Sequence, residues 1–498
     1  MSLFRNAPPE APCGPLRWPL SRRNALARSA LGFGWLAAAA LLADEPKRAQ
    51  PTGPEGTADA SRLMLRPPHF GGTAQRVVLL FQHGGPSQLD LFDPKPALAE
   101  HAGRNVPGGV EAFFDKQDSG LCMPSPFRFS QHGQSGMTFS ELLPQLAECA
   151  DDLCQVRSMH TELNDHEGAL RLFQTGMGRV GRPTLGAWVT YALGSDNQNL
   201  PGYVVLADPK GHQVDGIKNW SAGWLPSICQ GTPLRSQGSP LFDLEWPARV
   251  QPQTRQAQME LLAALNKKHR QRLPHVSELE ARIANFELAG NIREAVMESM
   301  DVFGESAATQ ALYGMGQTET GSYGTRCLMA RRLLERGVRF VSVFNDLIMG
   351  DPWDTHFQHN DRIRTVAANV DRPSAALITD LKQRGLLDDT LVIWAGEFGR
   401  LPVAQGKDGR DHNRHGFTIL LAGGGIRPGL TYGQTDDFGY KVQEHPVSVN
   451  DLQATILHLL GLDHERLTFR HAGRDESLTD AIVSGAQVVH ELLVNTPS

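Results

Sequence analysis

Short apolar runs separated by amphipathic stretches dominate the chain from about residue 76 onward. Continuous apolar runs of this kind are typical of strands buried on both faces of a parallel sheet. The strongest of them predict strands at Arg76–Gln82, Val338–Phe344, Thr390–Ala395 and Phe417–Ala422. Weaker runs predict two more strands, at Leu153–Ser158 and Gly202–Leu206.

Apolar residues at three- and four-residue spacing predict the helices between these strands. They fall at Thr138–Cys149, Thr184–Leu193, Ser374–Arg384, Asn450–Leu460 and Ser477–Val494, with a longer helical stretch over 253–335. Thr138 with Glu141 has the spacing of a capping box. Residues 210–250 have no clear period and are rich in Trp, Pro and Gly, which is typical of an insertion beside a cleft.

Alternating strands and helices predict an α/β fold, a mostly parallel sheet sandwiched by helices. The chain has 498 residues and is 40% hydrophobic, enough for a sizeable core. We therefore expect one α/β domain over 76–498 with an insertion at about 210–335. Residues 44–75, rich in Pro, Gly and charge, are predicted to be a linker.

The first 43 residues predict an export signal. Paired arginines, Arg22 and Arg23, precede an uncharged run at 29–43. This run is shorter than the ~20 residues that a membrane-spanning helix needs, so no transmembrane domain is expected. The arginine pair resembles a twin-arginine signal, with a plain secretory signal or an uncleaved anchor as the alternatives. Either export signal implies a periplasmic or secreted protein.

Composition excludes several classes of protein. The net charge is −6 and no basic stripe or DNA-binding motif is present, so no nucleic-acid partner is expected. Six cysteines, one of them Cys13 inside the predicted signal, are too few for a disulfide scaffold and show no C-x-x-C spacing.

Polar residues cluster directly after the predicted strands, where the carboxyl ends of parallel strands meet at one edge of the sheet. The clusters contain His83, Asp354 with His356 and His359, Glu397, and His412 with His415. Imidazole with carboxylate suits Zn, Mn or Fe, whereas Mg or Ca is favoured if oxygen ligands dominate. The sequence therefore predicts a divalent metal ion, with Zn as the first expectation.

The segment Asn164–Gly176 resembles the nucleophile helix of the alkaline phosphatase and sulfatase superfamily. In that superfamily a Ser, Thr or modified Cys begins a helix that ends, ten residues on, in Thr-Gly; Thr175-Gly176 matches this end. Asp165 also matches the phosphatase pattern. The nucleophile position, however, is His166, which excludes the usual formylglycine chemistry of sulfatases.

The resemblance also assigns places to the strand-end residues. It implies metal ligands at His83, Asp354, His356, Glu397 and His412. His83 stands where the superfamily has Asp, and Phe398 stands where it has a metal-binding His. More narrowly, the motifs Phe81–Asp90, Trp353–His356, Gly396–Arg400, Gly409–Asn413 and Leu459–His464 resemble a family of secreted, sulfatase-like proteins known only as a domain of unknown function.

Three roles stay open for His166: metal ligand, nucleophile or acid/base, and the mark of a lost active site. Arg400 and Arg410 are the expected partners of a bound sulfate or phosphate, because a guanidinium fits such oxygens in a planar fork. Ser87, Ser158 and Thr161 are alternative hydroxyl nucleophiles.

These features lead to the expectation of an exported, metal-dependent hydrolase that acts on sulfate or phosphate esters of a small molecule or carbohydrate. One alternative is a non-catalytic metal- or carbohydrate-binding protein on the same fold. Another is a phosphotransferase or mutase.

Overall fold

In the computed structural model, the described residues are 63–494 without 112–119, 212, 242–250, 274–278, 280–281, 284–291, 293–294, 349 and 351. The predicted export signal and the first part of the predicted linker lie outside these residues. All described residues belong to one compact unit. No helix among them is long and apolar enough to cross a membrane.

A nine-stranded sheet forms the centre of the described part of the chain, in the order β12-β4-β11-β8-β1-β7-β5-β6, with β15 also paired to β4. Its strands are β1 (Arg76–Phe81), β4 (Leu153–His160), β5 (Tyr203–Leu206), β6 (Thr232–Pro233), β7 (Phe340–Phe344), β8 (Thr390–Ala395), β11 (Phe417–Ala422), β12 (Leu430–Tyr432) and β15 (Val447–Ser448). Parallel pairing joins these strands except at β11, which runs antiparallel to β4 and β8. The predicted mostly parallel sheet is confirmed.

Four two-stranded sheets surround it. They pair β2 (Phe129–His132) with β3 (Met137–Ser140), β9 (Gly399–Gln405) with β10 (Gly409–Asn413), β13 (Gln434–Thr435) with β14 (Val442–Glu444), and β16 (Phe469–His471) with β17 (Arg474–Glu476).

The helices with defined bounds are α1 (Gln88–Leu91), α2 (Pro96–Glu100), α3 (Pro144–Glu148), α4 (His166–Thr175), α5 (Leu185–Leu193), α6 (Pro252–Arg272), α7 (Ala307–Leu312), α8 (Gly321–Glu335), α9 (His359–Gln383), α10 (Val449–Leu459) and α11 (Ala481–Ser484). Helices cover both faces of the sheet. Alternate residues of β1 show this: Val78 and Leu80 pack in the core that includes α8 and α9, whereas Val77 and Leu79 pack with α4, α5 and α10.

Two predicted helices are wrong. Thr138 lies in strand β3, and Glu141 pairs with Arg128 at 2.8 Å instead of closing a capping box. The helix in this region begins only at Pro144, since proline favours the first helical position. The predicted C-terminal helix is reduced to α11, which stops at Gly485 with φ of 69°, a left-handed conformation that suits glycine.

Helix α9 is much longer than predicted. It begins at His359, not at the predicted Ser374, and continues through Pro373. Both sides of that proline are buried in the core, so tertiary packing outweighs the lost backbone hydrogen bond.

Polar residues 409–413, expected in a loop, form strand β10, whose antiparallel pairing with β9 makes a hairpin. At the other end of the domain, residues 63–75, the last part of the predicted linker, are mostly exposed, but backbone hydrogen bonds attach them to the domain. For example, the Ala74 N–H donates to Leu459 O at 2.9 Å.

Candidate metal centre

The carboxyl edge of the sheet collects the polar residues that follow its strands. His83 comes two residues after β1, and Glu397 two residues after β8. The connection from β7 to α9 carries Asp354 and His356, and the hairpin strand β10 carries His412. Because β11 is reversed, the chain returns from β10 into the sheet at this same edge.

Helix α4 positions His166 at this edge. Asp165 is its N-cap residue, and the Asp165 Oδ1 accepts a hydrogen bond from the Gly168 N–H at 2.7 Å. The capping bond satisfies one of the exposed donors of the first turn. His166 is therefore fixed as the first helical residue, pointing from the helix end toward the cluster of strand-end residues.

Asp354 lies at the centre of this group. Its Oδ1 is 3.3 Å from Nε2 of His166, 2.9 Å from Nε2 of His356 and 3.4 Å from Nε2 of His412. The ligand atoms of these four residues, which we call the Asp354 cluster, lie within 4.8 Å of one another. Arg400 Nη2 approaches the same oxygen at 2.7 Å.

The three histidines of the Asp354 cluster share one feature: each Nδ1 lies beside an oxygen that accepts hydrogen bonds. The pairs are His166 Nδ1 with Glu397 Oε1 at 2.7 Å, His412 Nδ1 with Asn164 O at 2.7 Å, and His356 Nδ1 with Gln405 Oε1. A ring that donates from Nδ1 is left, when neutral, with a lone pair on Nε2. Metal-binding histidines are oriented in this way.

Two of these Nε2 atoms face each other directly. His356 Nε2 and His412 Nε2 are 3.1 Å apart. With both Nδ1 atoms donating to oxygens, the two lone pairs would repel unless a proton or a cation lies between or beside them. The donor set of three imidazoles and one carboxylate thus fits a divalent ion.

The pKa values of the histidines shift in opposite directions. Burial alone would lower the pKa of His166, but its hydrogen bonds to Asp354 and Glu397 raise it to about 9. Burial lowers the pKa of His412 to about 4. Burial opposes ionisation of Asp354, yet Arg400 and the three histidines bring its pKa well below the usual range. The two carboxylates therefore favour the protonated form of His166.

Glu397 and His83 lie behind His166. The Glu397 Oε1 accepts hydrogen bonds from the Gly84 N–H at 2.8 Å and from His166, while its Oε2 is buried with no hydrogen-bond donor among the described residues. His83 is 2% exposed and interacts electrostatically with Glu397 and His166. Burial lowers its pKa to about 4, so the ring is neutral near pH 7. Both residues remain predicted ligands.

Arg400 and Arg410 are fully buried, and internal groups surround their guanidinium groups. Arg400 binds Asp354 and the carbonyl oxygens of Gly84 and Gly85. Arg410 does not reach the Asp354 cluster; its Nε donates to Asp90 Oδ2 at 2.8 Å. Neither arginine is placed as the sequence suggested, with an open fork for a bound anion.

Asp90, His359, Arg410 and Ser87 form a second buried group, which we call the Asp90 cluster. His359 Nε2 lies 2.9 Å from Asp90 Oδ2, and its Nδ1 lies 2.6 Å from Thr355 Oγ1. Ser87 Oγ donates to Asp90 at 2.5 Å. Ser87 is thus held inside the protein and cannot act as the hydroxyl nucleophile considered from the sequence.

The family and the fold of this chain have known counterparts. A family model described as "Protein of unknown function (DUF1501)" matches residues 74–493. The chain belongs to this family. A search of curated protein sequences found no match.

Several solved structures resemble this DUF1501 chain over most of its length. They include the phosphonate monoester hydrolase SpPMH from Silicibacter pomeroyi, with 13% identity, a TM-score of 0.34, and coverage of 84% of this chain and 78% of that one. The PsFucS1 sulfatase from Pseudoalteromonas sp. has 12% identity and a TM-score of 0.33, with coverage of 79% and 68%. A mutant of TAB5 alkaline phosphatase with bound Mg has 10% identity and a TM-score of 0.34, with coverage of 78% and 99%. Likenesses of this size assign no reaction to the DUF1501 chain.

Sequence reasoning missed the residues that orient the histidines. Asn164 acts through its backbone carbonyl, which leaves no signal in the residue type. Gln405 lies at the end of β9, between the motifs Gly396–Arg400 and Gly409–Asn413 and in neither of them. His415, which the sequence groups with His412, instead pairs with the exposed Glu111 at 3.1 Å.

Proposed function

We propose that this DUF1501 protein is a metal-dependent hydrolase of sulfate or phosphate esters. The observation that carries the proposal is the convergence of three Nε2 atoms on Asp354 Oδ1, each ring being oriented through its Nδ1. A solvated histidine has no such fixed orientation. Here the hydrogen bond at Nδ1 holds each ring so that its Nε2 can bind an ion.

The donor set favours Zn, with Mn and Fe as the next candidates. Three imidazoles and one carboxylate are borderline ligands that match these ions, and Mg or Ca would need more oxygen atoms than the Asp354 cluster offers. Three histidine ligands and one carboxylate also leave room for a substrate oxygen when the ion expands its coordination.

Charge at the site favours an anionic ester. Neutral imidazoles contribute no charge, and Arg400 offsets one of the two carboxylates, Asp354 and Glu397. A divalent ion would therefore leave the site with a net positive charge. Such a site attracts sulfate and phosphate esters and stabilises charge that develops on their oxygens.

The attacking group we propose is water. The described cysteines are all buried, and burial raises the pKa of the thiols, as for Cys327 to about 12. Ser87 is committed to Asp90, and Ser158 is fully buried. A bound metal ion would polarise the ester and lower the pKa of a water molecule.

The protein's own residues hold this arrangement in place. We assign His166, at the nucleophile position of the related superfamily, to metal binding, with Glu397 fixing its ring through Nδ1. Arg400 holds Asp354 toward the three rings. Arg410 lies in β10, two residues before His412, and binds Asp90. Its proposed role is therefore to position β10 and with it His412.

Elemental analysis of the purified protein tests the metal site. We expect one tightly bound ion per chain in the wild type, and its loss in His166→Ala, His356→Ala and His412→Ala. His132→Ala is a matched control, because His132 lies on the β2 strand and hydrogen bonds only locally, to Ser130. A wild type without metal, or an unchanged metal content in all three variants, would contradict the proposal.

Assays on an aryl sulfate and an aryl phosphate, run on the same samples, test the reaction. Hydrolysis of either ester that falls with metal content supports the hydrolase. A metal-loaded wild type that hydrolyses neither ester would instead favour a non-catalytic metal- or carbohydrate-binding protein on the same fold.

We also infer that the protein acts outside the cytoplasm. Arg22 and Arg23 followed by the uncharged run at 29–43 support export by the twin-arginine route. Replacing both arginines with lysine should block export while the protein still folds. Unchanged accumulation outside the cytoplasm would show that the signal is of another kind.

A further inference from the structure

Phe357 is an exposed aromatic residue beside the Asp354 cluster. It follows His356 directly in the chain, and 59% of its surface is open to solvent. An exposed phenyl ring is unfavourable in water, and beside a polar site it offers a flat apolar surface to a ligand.

The backbone around Phe357 is held firmly. Gln358 adopts a left-handed conformation with φ of 49°, which is unusual for a residue with a side chain. Its N–H donates to Asp408 Oδ1 at 3.0 Å, and the His359 N–H donates to Asp408 O at 3.0 Å. A Cβ on Gly409 would lie 1.9 Å from His356 O, so the hairpin turn packs directly against this segment.

A buried arginine supports the ring from one side. The guanidinium carbon of Arg362 lies 4.8 Å from the centre of the Phe357 ring, within cation–π range. Arg362 is 6% exposed, so the charged group beside the ring is itself buried. The ring therefore lies against a buried arginine, one residue along the chain from His356, with more than half of its surface uncovered.

We propose that Phe357 forms a subsite that binds a ring in the alcohol part of the ester, through the apolar face of an aryl or sugar ring. This inference rests on the proposed function, since it places the sulfate or phosphate group at the Asp354 cluster and the ring of the same substrate on Phe357. The substrate class is then a ring-bearing ester, and simple alkyl esters are poor substrates.

Titration calorimetry of the metal-loaded protein with phenylphosphonate and methylphosphonate tests this subsite without turnover. The wild type should bind phenylphosphonate about threefold to tenfold more tightly, as expected for one aromatic contact. Phe357→Ala should remove that preference and leave methylphosphonate binding unchanged, whereas Phe357→Tyr should retain the preference.

Phe303→Ala is the matched control. Phe303 is 78% exposed, in the turn Val302–Gly304. The nearby Ser299 carbonyl accepts a hydrogen bond from Arg332 near the end of α8, away from the carboxyl edge. This variant should bind both probes like the wild type.

Three results would count against the subsite. Equal binding of the two phosphonates by the wild type, or a preference that survives Phe357→Ala, would overturn this inference alone. Failure of both probes to bind, together with absence of metal, would overturn it along with the proposed function.

Discussion

The Asp354 and Asp90 clusters contain the same kinds of side chain in two different arrangements. Each has a carboxylate that contacts histidine Nε2 atoms and a buried arginine, and each lies near the carboxyl edge of the sheet. In the Asp90 cluster every partner is complementary: His359 contacts Asp90 through Nε2 and Thr355 through Nδ1, and Arg410 binds both carboxylate oxygens.

In the Asp354 cluster, by contrast, ring nitrogens face one another. His356 Nε2 and His412 Nε2 are 3.1 Å apart, and 24% of the Asp354 side chain is exposed, compared with 0% for Asp90. A complete set of internal partners indicates a structural ion cluster, whereas converging lone pairs with access to solvent indicate a ligand site. The two clusters share their residue types, so they differ in the geometry of their contacts and in access to solvent.

The largest expected effect concerns stability. Asp90→Ala should lower the free energy of unfolding by about 3–5 kcal/mol, because Arg410 would remain buried without its carboxylate partner. Urea denaturation followed by circular dichroism measures this loss. Asp354→Ala is the paired variant, and it should cost less stability while removing metal binding. If Asp354→Ala were the more destabilising change, the roles assigned to the two clusters would be reversed.

The second effect is on pH dependence in chelator-treated protein. The folded pKa of His166 is about 9, above its unfolded value near 6.5, so its stabilisation is present below pH 6.5 and is lost as pH rises through about 9. The change should reach about 3 kcal/mol. Burial lowers the folded pKa of His359, so its stabilisation has the opposite sign: it is present above pH 6.5 and is lost as pH falls.

Urea unfolding between pH 5 and 10 separates the alkaline loss from the acidic loss (~0.5 pH steps are enough). His83 and His412 also contribute to the acidic loss, because burial lowers their pKa values to about 4. His166→Gln should flatten the alkaline side of the stability curve and leave the acidic side unchanged. An alkaline loss that persists in His166→Gln would mean that another group is responsible.

The smallest expected effect distinguishes a residue that orients a histidine ring from one that binds the metal ion itself. Glu397→Ala should weaken metal binding by about 10- to 100-fold, because the ring of His166 would lose its Nδ1 partner. Competition with a chromophoric chelator measures the affinity, and Ser87→Ala in the Asp90 cluster should leave it unchanged. A loss as large as that of His412→Ala would instead place Glu397 among the ligands.

The sheet was predictable because its strands are buried on both faces. Thr390–Ala395 and Phe417–Ala422 have the predicted bounds, since continuous apolar runs follow from burial alone. The hairpin β9–β10 was missed because β10 is polar yet buried, so no hydrophobic period marks that strand. Its burial depends on partners that are distant in the sequence.

The sequence indicated several residues that would meet at this edge but not their arrangement, and their role as metal ligands stays a prediction. Strand ends brought Asp354, His356 and His412 to one edge, as topology requires. The sequence could not show that Arg410 would be occupied by Asp90, which is 320 positions away in the chain. In the sequence, an arginine that binds a ligand at such an edge cannot be distinguished from one that binds an internal carboxylate.

The reversal of β11 affects the order in which the site is assembled during folding. Strands β8, β9, β10 and β11 are neighbours along the chain and pair as β8 with β11 and β9 with β10, so residues 390–422 need only local loops to come together. Contacts between nearby residues form faster than those that close long loops. His412 can thus be in place early, whereas His166 and Asp354 arrive from distant segments. Metal uptake should therefore be a late event that reports completion of the fold.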